Sequence, residues 1–234
     1  NWLNTITGYE AGALAGSAAG TDALEIKTGS ASLFDVTDHN AGAFAFTLNT
    51  SDPHDIVAGD IVMVCDFSRA AIFQVSGVVG NVVSHAAGGA APGNSTGNLG
   101  EAGNQYTFDT DDHATTLGRI TATQWFVGAN GRGGRSLFRN TLRTTAGVAA
   151  MVANEEVAEG VRDMQITYLL TDPGSGAPAL VYVNAATVAA ALRWDDVSAV
   201  RIVMTIEGND QVGTNGQRLN RNIVQTINLR NRNP

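Results

Sequence analysis

Cysteine is nearly missing from this chain: Cys65 is the single one in 234 residues. An intrachain disulfide is therefore excluded, and the chain alone offers no thiolate cage for a metal. Cys65 sits in the apolar run IVMVCDF, which predicts a small buried hydrophobe rather than a reactive thiol. Lysine is equally scarce, with Lys27 alone beside thirteen arginines. Positive charge as a whole is short, and the formal net charge is −8 with a pI near 4.8. Such a field repels nucleic acid and anionic membrane surfaces, so any contact with either must rest on a local basic patch. No apolar run approaches the roughly 18 residues of a membrane-spanning helix. The first residue is Asn rather than Met, which suggests a mature or trimmed chain.

What is present is period-two alternation, the pattern of half-buried strands. In DMQITYLL, Met164, Ile166, Tyr168 and Leu170 share one face. In AVRIVMTIE, Val200, Ile202, Met204 and Ile206 do the same, and in IVQTINLR the set is Ile223, Ile227 and Leu229. Further strands are predicted in ALEIK, AFAFTL, DIVMVC, AAIFQVSGVV and RITATQWFV. Helix is scarce. The best candidate is NAATVAAALRW, where Asn184 can cap a short Ala-rich helix ending near Arg193. Long polar, glycine-rich loops are expected over 85–104 and 207–222, and a turn over 171–178. With no repeat period and no dividing linker, residues 1–234 read as one domain, long enough to bury a substantial core.

The stretch GANGRGGRSLFR (128–139) packs four glycines and three arginines into twelve residues. A dinucleotide site would need a helix after the glycine turn, and a phosphate loop would need Lys followed by Ser or Thr. Both are absent, so a glycine-rich connection between two strands is the better reading. Arg132, Arg135, Arg139 and Arg143 nevertheless form a local basic patch. It suits DNA phosphates or an acidic partner surface, or else ion pairs with the chain's own carboxylates.

Other chemistry is thin. His39, His54, His85 and His113 share no metal-ligand spacing. The acidic run DTDDH (109–113) lacks the glycine and distal Glu of an EF-hand loop and reads as a solvated loop. There is no G-x-S-x-G elbow. The glycosylation sequon NST (94–96) matters only in a host with the machinery. No nucleophile, paired acid and base, metal or cofactor site is visible, which argues against a β-rich hydrolase.

Several stretches, taken in order, resemble the PilW family of type IV pilus minor pilins. They are ITGYEAGALAG…GTDALEIKTGS, GDIVMVCDFSRAAIFQVSGV, YTFDTDDHATTLGRITATQWFVGANGRGGRSLFR, VAEGVRDMQITYLLTD, WDDVSAVRIVMTIEG and the terminal INLRNRNP. Two departures stand out. The places of the family's common cysteine pair look filled by Phe67 and Ser95, so the loop over 85–104 is expected to be held by packing alone, or to be mobile. The family's hydrophobic N-terminal helix is not in this chain, which then corresponds to the headgroup.

The resemblance implies an α+β, mainly β fold. It is a pilin-like headgroup similar to J-type pseudopilins, with antiparallel sheets, long loops and little helix. It implies a structural subunit, not an enzyme, without cofactors. Its partners would be other minor pilins, the major pilin and a PilY-type tip adhesin, in a complex that primes pilus assembly. The subunit would be anchored in the inner membrane through the N-terminal helix, with its headgroup in the periplasm, and would later stand at the extracellular pilus tip. An apolar groove is expected where that helix packs. Two alternatives stay open: a J-type pseudopilin of type II secretion, and a tip subunit whose arginines touch DNA or a surface.

Overall fold

In the computed structural model of the chain, residues 4–50, 54–100, 103–111, 114–172, 174, 177–179, 181–208 and 218–229 are described, with only the backbone of 153 and 154. Two long strands form the spine. β2 (Ala23–Asn40) and β8 (Thr116–Ala129) pair antiparallel from Ala23↔Phe126 to Asp35↔Thr116, with a register shift between Gly29 and Leu33. Each strand is long enough to serve two neighbours on its free edge. β2 takes β1 (Ile6–Tyr9) on its first half and β3 (Ala45–Leu48) on its second. β8 takes β4 (Ile61–Cys65) on its first half and β9 (Arg135–Thr145) on its second.

The remaining strands extend these two lobes. β5 (Ala70–Gln74) pairs with β4, while β6 (Gly77–Val79) and β7 (Val82–Ser84) extend β3. β10 (Val148–Glu159) forms the outer edge beside β9. All of these lie in one ten-stranded sheet. A separate three-stranded sheet follows in the order β11 (Val161–Leu170), β12 (Val197–Glu207), β13 (Asn220–Asn228). The fold is thus mainly β, antiparallel, with long loops.

The divided spine yields separate cores. One, in the β3–β7 lobe, gathers Phe46, Leu48, Val62, Val64, Phe73 and Leu117. Another lies between the second lobe and the small sheet, where Leu24 and Val127 meet Met164, Ile166, Tyr168 and Val200. The alternation read from DMQITYLL is realised here: Met164, Ile166, Tyr168 and Leu170 are buried. Packing such side chains contributes about 1.5–3 kcal/mol each and stabilises the pairing of the two sheets.

The helix α1 (Ala185–Ala190) begins at Asn184, whose side chain accepts the Thr187 N–H, as the sequence predicts. It ends before Arg193, because Leu192 takes a left-handed φ of 55°. The expected turn over 171–178 has Thr171 bridged to Pro178, with 173, 175 and 176 outside the described residues.

Two expectations need correction. Cys65 is half-buried rather than buried, because it ends β4, and its Sγ lies 3.6 Å from Thr116 Oγ1. The loop following His85 is held by hydrogen bonds, not by packing alone. The Gln74 side chain accepts the Gly93 N–H at 2.6 Å and donates to Ala91 O, while Asn94 Nδ2 donates to Gln74 O and Ala86 O. These bonds also occupy the sequon's Asn94 amide, so it is not presented for glycosylation.

Candidate functional site

The N-terminal motifs act as staples between elements. In Gly8-Tyr9-Glu10, a Cβ at Gly8 would collide with the Tyr168 hydroxyl and sit 2.8 Å from Ala185 Cβ, so glycine permits the close approach of β1 to the second core. Tyr9 donates to Glu25 at 3.3 Å, and Glu10 accepts the Ala185 N–H at the start of α1. In Gly20-Thr21-Asp22, the buried Asp22 carboxylate accepts the N–H groups of Ala11 (3.0 Å) and Ile166 (2.8 Å). One side chain thereby joins the N-terminal loop to β11.

A polar cluster lies on the opposite face of the large sheet. Glu25 and Lys27, both nearly buried, are 2.6 Å apart, and Gln124 donates to Glu25 at 2.7 Å. Burial pushes the Glu25 carboxyl up, but hydrogen bonds from Lys27, Gln124 and Tyr9, with the Lys27 charge, outweigh it and hold the group below its usual range. Burial, then the Glu25 charge and hydrogen bond, push Tyr9 up to about 12. The charged and hydroxyl groups of this cluster are thus engaged with one another.

Among the described histidines, His39 and His85 come together in the aromatic core with ring centroids 5.5 Å apart. His85 Nδ1 pairs with Gly97 O at 2.9 Å, and His39 Nδ1 accepts the Phe108 N–H at 3.2 Å. His113 and Asp112 of the acidic run lie outside the described residues; Asp109 accepts the Asp111 N–H, forming a local turn. No group of three or more His, Cys, Asp or Glu side chains that could hold a metal occurs among the described residues.

The glycine and arginine stretch forms the β8–β9 hairpin, with Ala129 paired to Arg135. Its turn places Gly131 at φ 71° and Gly133 at φ 83°. The cradle is already filled: Asn130 Oδ1 accepts the N–H of Arg132 (3.0 Å) and of Gly134 (3.1 Å). A side-chain carboxamide thus takes the donors that a phosphate would need.

Arg132 and Arg135 reach a cleft of about 910 Å³ where three chain reversals meet. The second reversal is Gly160 alone, which carries the chain from β10 in one sheet to β11 in the other. Gly160 N–H donates to Arg135 O (3.1 Å), and Gly160 O accepts the Glu207 N–H (2.8 Å). The third comprises the end of β12 and the approach to β13, represented by Glu207 and Arg218; residues 209–217 between them lie outside the described set.

Four arginines and two glutamates line the cleft. Arg132 pairs with Glu156 and, at 3.1 Å, with Glu159; Arg162 pairs with Glu207 at 3.1 Å. Arg135 donates to Arg162 O at 3.0 Å. Neither Arg135 nor Arg218 has a carboxylate partner among the described residues.

Arg139 and Arg143 lie elsewhere, at successive steps of about 13 Å along β9 from Arg135. Arg139 pairs with Glu155 and covers the Trp125 ring at 5.7 Å, while Arg143 is exposed. The sequence patch is therefore split. Arg162, Glu159, Glu207 and Arg218 belong to the site and were missed, because no local pattern links positions so far apart.

A second feature is an apolar strip on the small sheet. Ile223 and Ile227 oppose Met204 and Val200 in register, on the face that builds the second core. They remain 39% and 44% exposed because the large sheet does not reach β13.

Residues 124–227 match the PilW family, Type IV Pilus-assembly protein W. No curated protein and no solved structure matches the chain. The PilW match runs from the second half of β8 to the penultimate residue of β13. It contains the hairpin turn, all six charged residues lining the cleft, and the apolar strip of the small sheet. The match supports assignment to the PilW family and, with it, a role in assembling type IV pili or pseudopili.

Proposed function

We propose that the chain is a non-catalytic headgroup domain of a minor pilin. It would join other minor pilins in the complex that primes a type IV pilus and helps display a PilY-type adhesin at the tip. The PilW match carries this reading, since it embraces the turn of the central hairpin, the second half of β8, all of β9 and the small sheet up to Ile227. The apolar strip on β12 and β13 supports it, because Ile223 and Ile227 suit the hydrophobic helix that such subunits carry before the headgroup. The mainly β fold with a single short helix among the described residues is compatible with a pilin-like or J-type pseudopilin headgroup.

Deletion of the coding gene, with pili counted by electron microscopy and secretion assayed in parallel, tests the proposal. Loss of surface pili that is restored by the intact gene is the expected result. Loss of secretion with normal pili would assign the chain to a pseudopilus instead. Normal pili and normal secretion would overturn both readings.

A further inference from the structure

The geometry points to the cleft between the two sheets as a docking site for a carboxylate-bearing polypeptide segment, an acidic loop of a neighbouring subunit. This rests on the assembly reading above and names the chemistry of its partner. Three observations carry it.

First, Arg132 and Arg162 are engaged by Glu156, Glu159 and Glu207, whereas Arg135 and Arg218 face the cleft without a carboxylate among the described residues. Guanidinium groups present paired donors that match single carboxylates. Second, two glutamates stand among the arginines. A strand of closely spaced phosphates would be repelled by them, while a peptide with separated acidic side chains can place each one beside an arginine. Third, the cleft is cationic on a chain with net charge −8. Subunits of similar acidity would be repelled by much of an acidic surface and drawn to the arginines of this cleft, which favours it as the docking face. The turn itself adds no competing phosphate cradle, since Asn130 occupies it.

Titration of the 234-residue chain with a short peptide alternating Asp and Ser, and separately with oligothymidine of equal formal charge, tests the proposal. Peptide binding should weaken with added salt. It should weaken about tenfold in Arg135→Ala and in Arg218→Ala, the loss expected for a charge-assisted hydrogen bond. Arg143→Ala, which removes the same charge outside the cleft, should leave the affinity unchanged. Arg218 is exposed, so its substitution tests the cleft without threatening the fold. Absent peptide binding, equal loss in Arg143→Ala, or tighter binding of oligothymidine would each overturn the proposal. The titration is independent of pilus counts, so its failure and the failure of the assembly role are separable.

Discussion

Gly160 O accepts the Glu207 N–H at 2.8 Å, a bond that extends the β11–β12 ladder by one step beside the arginine cleft. The same residue turns the chain from β10 into β11 and donates its own N–H to Arg135 O at 3.1 Å in the large sheet, so Gly160 bonds to both sheets. Gly160 adopts φ 78°, and a Cβ there would lie 2.7 Å from Glu207 O.

Gly160→Ala is therefore expected to destabilise the fold by about 2–4 kcal/mol, from left-handed strain plus displacement of the Glu207 carbonyl. Gly131→Ala provides the contrast. Gly131 has φ 71° but open space around it, so only the conformational cost of about 1 kcal/mol applies. Urea unfolding of both variants checks the difference; equal losses would contradict the close contact at Gly160.

Asp22 bridges the N-terminal loop and β11 through the N–H groups of Ala11 and Ile166. Asp22→Ala leaves two donors without their acceptor and should cost about 2–4 kcal/mol. Asp22→Asn retains one oxygen acceptor and should cost less. Hydrogen exchange at the Ile166 amide, compared between the two variants, reads the bridge directly.

His85 governs an acid response. Burial pushes its imidazole down to about 4, with the His39 charge acting in the same direction and the Gly97 hydrogen bond opposing it. Burial also lowers His39, opposed by the charge of Asp38. Both groups bind protons more readily in the unfolded chain, whose histidine value is 6.5. Stability is therefore full above that value and falls as pH drops toward 4. Between pH 7.5 and pH 5 the loss from His85 is about 2 kcal/mol. Carboxylates with lowered values, such as Glu25, lose their contribution only at lower pH. Unfolding measured at the two pH values should show this loss in the parent chain and a smaller one in His85→Phe.

The hydroxyl of Tyr168 is buried without a hydrogen-bond partner among the described residues. Its ring packs edge-on against Trp194 at 5.1 Å, so the ring, not the oxygen, is what the second core uses. Tyr168→Phe should be neutral or should raise stability by about 1 kcal/mol, since a desolvated polar group is removed. Tyr168→Ala should cost about 3–5 kcal/mol through the cavity it leaves. Thermal unfolding of the pair checks the sign.

Alternation in DMQITYLL and AVRIVMTIE made the strands β11 and β12 legible, because side-chain direction in a strand repeats every two residues whatever its partner. Asn184 was legible as a helix cap for a similar reason: its side chain acts within its own turn. β10 was not. Its sequence VAAMVANEEVAE is poor in strand formers, and register shifts at Val152/Glu155 and Glu156/Ala158 interrupt the alternation. Pairing with β9 holds it extended. β2 likewise runs through Gly29 and far past ALEIK, because β8 and β3 provide hydrogen bonds that its own residues do not announce.

By itself the sequence determined the strand-rich class, the capped helix, the acidic net charge and the hairpin turn at Gly131 and Gly133. Each is a property of local backbone preference, short-period patterning or composition. Only the tertiary structure decided which arginines act together. Arg139 is drawn to Glu155 by strand register, while Arg135, Arg162 and Arg218 converge because the Gly160 turn carries the chain from one sheet to the other beside the β8–β9 hairpin. Long-range register, not local spacing, places charges from distant segments around one cleft.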